Sequence, residues 1–258
     1  MLLRLILISL VIALLWNLWS LPAPEEQPPL AYGEQTTRSN WPQLSAASNY
    51  TDTRDLLKSN YYVILDGSAN MNEKACGSEN RGIRMRDVIE AFSAFSDAVP
   101  RQANIGAAVF NHNEIVELGA LHQEERISHL RISPGGPARL RSAIQSAYEK
   151  LELQGQKQLG YGEYHLVVIS SGDVADGEDP GSFVRDMLAS SPVNLTTIGY
   201  CTAPDHHLDR SGPGPVIEAD SLEMLKQSLH AVLVPAPSFT VDSFQETQTT
   251  PGKVVQGH

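Results

Sequence analysis

Tyr61-Tyr62-Val63-Ile64-Leu65-Asp66-Gly67-Ser68-Ala69-Asn70 is the stretch that decides the fold. Five apolar or aromatic residues without polar alternation make a run of strand length, the pattern of a strand buried on both faces. An acid and a hydroxyl then leave its end together. Open α/β sheets place their ligands at the carboxyl ends of their strands, so Asp66 and Ser68 are the first candidate site residues.

Working outward, strand and helix patterns alternate. Ile105–Phe110, Ile115–Leu118, Leu166–Ser170 and Leu195–Tyr200 are further apolar or β-branched runs, most of them bounded by Gly, Asn or Asp. Val88, Phe92, Phe95 and Val99 recur at helical spacing, as do Leu140, Ile144, Ala147 and Leu151, and then Leu222, Leu225, Leu229 and Val232. Phe183, Met187 and Leu188 make a shorter face. Asn111-His112-Asn113 reads as a tight connection, so one strand pair is expected to be antiparallel. Alternation of this kind predicts an α/β domain over 59–233, a three-layer, doubly wound, mostly parallel sheet with helices on both faces and one antiparallel edge strand.

The whole span from Tyr61 to Leu233 resembles the von Willebrand factor A (VWA) family. In that family three loops at the strand ends build a metal-ion-dependent adhesion site. The first, Asp-x-Ser-x-Ser, corresponds to Asp66-Gly67-Ser68-Ala69-Asn70. A Gly-Gly-Thr-like turn before a helix corresponds to Gly135-Gly136-Pro137, and a Thr-Asp-Gly-like strand end to Ser170-Ser171-Gly172-Asp173. The resemblance implies Mg²⁺ held through Asp66, Ser68 and Asn70, and a partner docked on the face made by Ser68, Asn70, Pro137, Ser171 and Asp173. Three departures stand against the metal. Pro137 replaces a hydroxyl, Ser171 replaces a carboxylate and Asn70 replaces a serine, whereas Mg²⁺ demands near-octahedral oxygen coordination. The expectation is therefore a degenerate site with no cofactor, Mg²⁺ being the alternative, and with Asp66 and Ser68 serving otherwise to cap their loop.

On the same resemblance Cys76 and Cys201, the two cysteines of the chain, fall at one end of the sheet. They are either a disulfide or a pair of buried thiols. The acidic run Asp173, Asp176, Glu178 and Asp179 lacks the spacing of an EF-hand. Asp205-His206-His207 shows no third metal ligand. Asn49-Tyr50-Thr51 and Asn194-Leu195-Thr196 match the glycosylation sequon. No nucleophile elbow, phosphate-binding loop or His-Glu-x-x-His motif occurs, and no base, nucleophile and oxyanion donor can be assigned, so the chain is not expected to be an enzyme.

Flanking the domain, residues 1–21 form an apolar segment with Arg4 before it and Pro22-Ala23-Pro24-Glu25-Glu26 after it. It is read as an uncleaved signal anchor, or alternatively a cleaved signal peptide, which would leave the protein secreted. Trp16 and Trp19 at its outer end suit an interfacial belt, and Arg4 on the cytoplasmic side puts the domain outside, in a periplasmic or extracellular compartment. Residues 22–58, rich in Pro, Gln and Ser, read as a flexible tether, and 234–258 as a disordered tail in which Ser238–Val241 is a candidate edge strand. A net charge of −11 argues against nucleic acid as a partner. Together these readings predict a membrane-tethered, outward-facing module that binds exported proteins; the alternatives are an extracytoplasmic hydrolase on the same fold and a structural subunit of a larger envelope assembly.

Overall fold

The computed structural model describes residues 41–42, 56–77, 82–122, 130–202 and 216–234. Within them six strands form one sheet: β1 Ser59–Asp66, β2 Asn104–Asn111, β3 Glu114–His122, β4 Glu163–Ser170, β5 Val193–Tyr200 and β6 Val216–Ala219. Their order is β3-β2-β1-β4-β5-β6, with β2 and β3 antiparallel and every other neighbouring pair parallel. The four helices are α1 Arg84–Ala98, α2 Leu140–Lys157, α3 Gly181–Ser190 and α4 Leu222–Val232.

Side chains of β1 alternate between two cores, as strand geometry requires. Tyr61, Val63 and Leu65 face α1 and α4, meeting Phe92, Phe95 and Leu225. Tyr62 and Ile64 face α2 and α3, meeting Leu140, Leu151, Val184 and Met187. Because β1 is covered on both sides it carries no polar alternation, which is why its sequence is so legible. At β2–β3 the reversal is made by His112 and Asn113, both at positive φ, the conformation that a tight hairpin of this hand demands.

The expected α/β architecture with one antiparallel edge strand is thus what forms. Three details differ from the sequence reading. β3 is longer than Ile115–Leu118, β5 begins at Val193, and β6 was missed. Asn194, the first residue of the second sequon, lies on β5 with an exposed side chain.

Cys76 and Cys201 are joined by a disulfide, with Cα atoms 5.6 Å apart and the Cys76 amide donating to Cys201 Sγ at 3.0 Å. Trp41 and Pro42, within the stretch expected to be a tether, are docked against the domain: the Trp41 ring meets that of Tyr164 edge-on at 4.6 Å. A Cβ on Gly155, in the last turn of α2, would come within 2.5 Å of that indole, so glycine makes room for it. This contact lies at the amino-terminal end of β4, opposite the end at which Asp66 and Ser170 finish their strands.

The apolar segment 1–21, the sequon at Asn49, the Asp205-His206-His207 cluster and the tail beyond Val234 lie outside the described residues. Among the described residues no helix is long and apolar enough to cross a membrane.

Candidate functional site at the strand ends

Register brings the site loops level. Leu65 pairs with Val109 on one side and Ile169 on the other, so Asp66 emerges beside Phe110 and just before Ser170. The chain runs outward from β1 to β2 and β3, then crosses back to β4, which makes the β1/β4 boundary the point where the sheet's winding reverses. Crevices form at such points.

Asp66 is fully buried there, and both its oxygens are occupied. Oδ1 accepts the Ser68 amide at 2.8 Å. Oδ2 accepts the Ser170 hydroxyl at 3.0 Å and both the amide and the hydroxyl of Ser171 at 2.9 Å. Hydrogen bonds to a carboxylate are the stronger kind. The acid therefore bolts the end of β1 to the end of β4.

Beyond it, a short 3₁₀ turn over Ala69–Asn72 is pinned by fully buried Met71. Asn70 reaches from this turn to Asp173, its amide nitrogen donating to the exposed carboxylate. The third loop joins through its backbone: the Gly135 amide donates to the Gly67 carbonyl at 2.8 Å, and the Ala69 amide to the Gly136 carbonyl at 3.0 Å. Gly67 must be glycine, because a Cβ would sit 2.9 Å from the Phe110 carbonyl oxygen and closer still to Val109 and Asn111.

Glu178 fastens the back of the site. Its carboxylate accepts the Ser142 amide at 2.8 Å and the Ser142 hydroxyl at 2.7 Å, and pairs with Arg139 at 3.4 Å, so it caps the first turn of α2 from another loop. Burial alone would raise its pKa, but the Ser142 hydroxyl and amide and the Arg139 guanidinium prevail and hold it below the ordinary carboxylate value.

Every sequence-predicted site residue is thus brought to one end of the sheet, but not in one environment. Pro137 and Asp173 are exposed, Asn70 is half-buried, and Ser68 and Ser171 are buried. Ser171 belongs to the scaffold of the face and not to its surface. The acidic run disperses: Asp173 goes to Asn70, Glu178 to α2, and Asp179 accepts the Gly181 amide. Sequence reading missed Ser170, although its hydroxyl next to Ser171 was the available signal, and missed Glu178, whose role depends on a helix remote in sequence.

The donor set does not fit Mg²⁺, which needs six oxygens in near-octahedral geometry. Pro137 brings no side-chain oxygen, Ser171 is spent on Asp66, and the Asp66 oxygens are filled by protein donors. Within the site one buried oxygen stands apart. Ser68 Oγ has no hydrogen-bond partner among the described residues. No group of three or more His, Cys, Asp or Glu close enough to hold a metal occurs among the described residues either.

Comparison with known proteins agrees with this architecture. The chain is similar in structure to the ArnB paralog VWA2 from Sulfolobus acidocaldarius, with a TM-score of 0.51 at 18% identity over 67% of this chain and 44% of that one. It is similar also to proximal thread matrix protein 1 from the mussel byssus, a structure with zinc in its MIDAS motif, with a TM-score of 0.51 at 14% identity over 69% of this chain and 47% of that one. The chain thus spans under half the length of each, and at such identities the likeness concerns the fold. No curated protein matches the sequence. The model of the von Willebrand factor type A domain matches residues 60–252, about three quarters of the sequence, and the chain belongs to that family.

Proposed function

We propose that the protein is a membrane-tethered, outward-facing VWA module that binds exported protein partners through its strand-end face, without catalysis and without a bound metal. A VWA domain is a protein-interaction fold, and the family match supports the coarser part of this reading. The observation that supports the finer part is the placement of Trp41. Trp41 packs on Tyr164 at the amino-terminal end of β4, the end opposite the loops around Asn70, Pro137 and Asp173. A cross-tied face at the strand ends suits capture of a partner.

The test uses the full chain solubilised from its own membrane. Asn70→Arg and Pro137→Glu alter exposed or half-buried positions and are expected to weaken partner capture at least tenfold, in chelator as in its absence, while the melting temperature stays within about 2 °C. A change at Lys157, at the opposite end, is the control. Capture that survives the first pair and is lost with the control would move the interface elsewhere. Millimolar Mg²⁺ is expected to leave the melting temperature unchanged, because a ligand that binds the folded state raises it by mass action. A clear Mg²⁺-dependent rise that Asp66→Ala removes would restore the metal.

A further inference from the structure

The mismatch between this site and a divalent ion points to a different ligand chemistry. We propose that the strand-end site accepts a primary ammonium, a lysine side chain or a chain amino terminus of the partner, where other members of the fold place a metal. The proposal rests on the binding-module reading above and names the group that the partner presents.

Three observations carry it. The first is the orphaned hydroxyl: Ser68 is 2% exposed, and its Oγ has no partner among the described residues. A buried unsatisfied polar atom is costly, so its retention calls for an explanation. Ser68 stands between Asp66 and Asn70 on its loop, and those two are the residues that reach across to the Ser170–Asp173 loop.

The second is the tie at the outer end. Asn70 holds Asp173 with a neutral amide, and the Asp173 carboxylate is exposed. A cation displaces a neutral donor from a carboxylate because charge-assisted hydrogen bonds are about twice as strong. Once displaced, Asn70 can turn its amide oxygen to the same ligand. Ser68 is buried while the loops keep the present arrangement, and parting this tie is the opening step we infer.

The third is the match in number. An ammonium has three donors, and the opened site offers three acceptors: an Asp173 oxygen, Asn70 Oδ1 and Ser68 Oγ. A guanidinium instead presents a planar fork matched to the two oxygens of one carboxylate, whereas these three acceptors belong to three separate side chains. The charge is favourable as well. Asp176 and Asp179 are exposed on the loop that follows Asp173, and Arg139, just before α2, is engaged by Glu178 and by the Asn113 carbonyl at 2.5 Å.

The experiment titrates the solubilised full chain, labelled at asparagine side-chain nitrogen, with four probes: acetyl-lysine amide, acetyl-arginine amide, acetyl-norleucine amide and Mg²⁺. The Asn70 side-chain signal is identified by its loss in Asn70→Ser. The lysine probe is expected to shift that signal saturably in the millimolar range, the arginine probe to bind at least fivefold more weakly, and the norleucine probe, of similar shape without charge, to do nothing. Ser68→Ala should weaken the lysine probe five- to tenfold without lowering the melting temperature, because the hydroxyl it removes has no partner among the described residues. No saturable shift with lysine, an equal response to norleucine, indifference to Ser68→Ala, or a response to Mg²⁺ alone would each overturn the proposal. Failure here together with capture that depends on Asn70 and Pro137 would leave the module standing and remove the ammonium. A lysine response together with capture indifferent to those residues would do the reverse.

Discussion

Asp66 and Ser68 are neighbours on one loop with opposite energetic roles. Asp66 gathers four donors in a buried setting, so Asp66→Ala strands them and is expected to destabilise the domain by about 3 kcal/mol or more. Urea unfolding checks this; a loss under ~1 kcal/mol would show that solvent replaces the carboxylate. Ser68→Ala deletes an atom with no partner among the described residues and should be neutral within about 0.5 kcal/mol, or stabilising. The sequence made both residues visible, because an acid and a hydroxyl at the end of an apolar run have few other reasons to be there. It did not reveal that Ser171 is buried. That depends on Asp66 drawing the Ser171 amide and hydroxyl inward across two strands 105 positions apart in sequence, a contact no local pattern encodes.

Among the elements, α2 owes its first turn to another loop. Its N-cap residue, Arg139, makes no side-chain capping bond, and Glu178 supplies the acceptor in its place. Glu178→Ala is expected to cost about 1–2 kcal/mol and to speed amide exchange in the first turn of α2 more than elsewhere. The measurement is hydrogen exchange on wild type and variant; uniform acceleration across the helix would assign Glu178 to the global fold instead. Elements covered on both sides were the most plainly legible from sequence: β1, β2 and β4 are continuous apolar runs, and α1 and α2 carry long helical stripes. β6 was not, for a physical reason. Val216-Ile217-Glu218-Ala219 is a four-residue edge strand with one neighbour, too short to show a period and half-exposed, so nothing in its composition separates it from a loop.

Across the whole molecule, titration sets a window of stability. Burial raises the pKa of Tyr61, Tyr62, Tyr148 and Tyr200 and pushes that of Tyr164 up to about 12, against about 10 in an unfolded chain. A raised folded value favours the neutral phenol, so this stabilisation is complete below pH ~10 and is lost as pH climbs through the folded values. Burial lowers the pKa of His165, with Glu163 opposing. That stabilisation is present above the unfolded value of about 6.5 and lost as pH falls through the folded one. Urea midpoints are therefore expected to be flat between roughly pH 6.5 and 10 and to decline on both sides; a midpoint that keeps rising to pH 11 would contradict the tyrosine assignment. Reducing Cys76–Cys201, separated by 125 residues, removes a cross-link worth up to about 4.7 kcal/mol in the chain-entropy picture, and calorimetry should show a clearly lower melting temperature. The same bond gives the domain a tolerance to damage. The Gly135–Pro137 turn, the Ser170–Asp173 loop and the segment 123–129 all lie between its two cysteines. A protease that severs the backbone anywhere in that interval frees nothing: the amino-terminal fragment, which carries residues 1–21, stays covalently attached to the carboxyl-terminal one. A nicked chain should run as one species without reductant and as two with it, its two halves still held together after the peptide bond is gone.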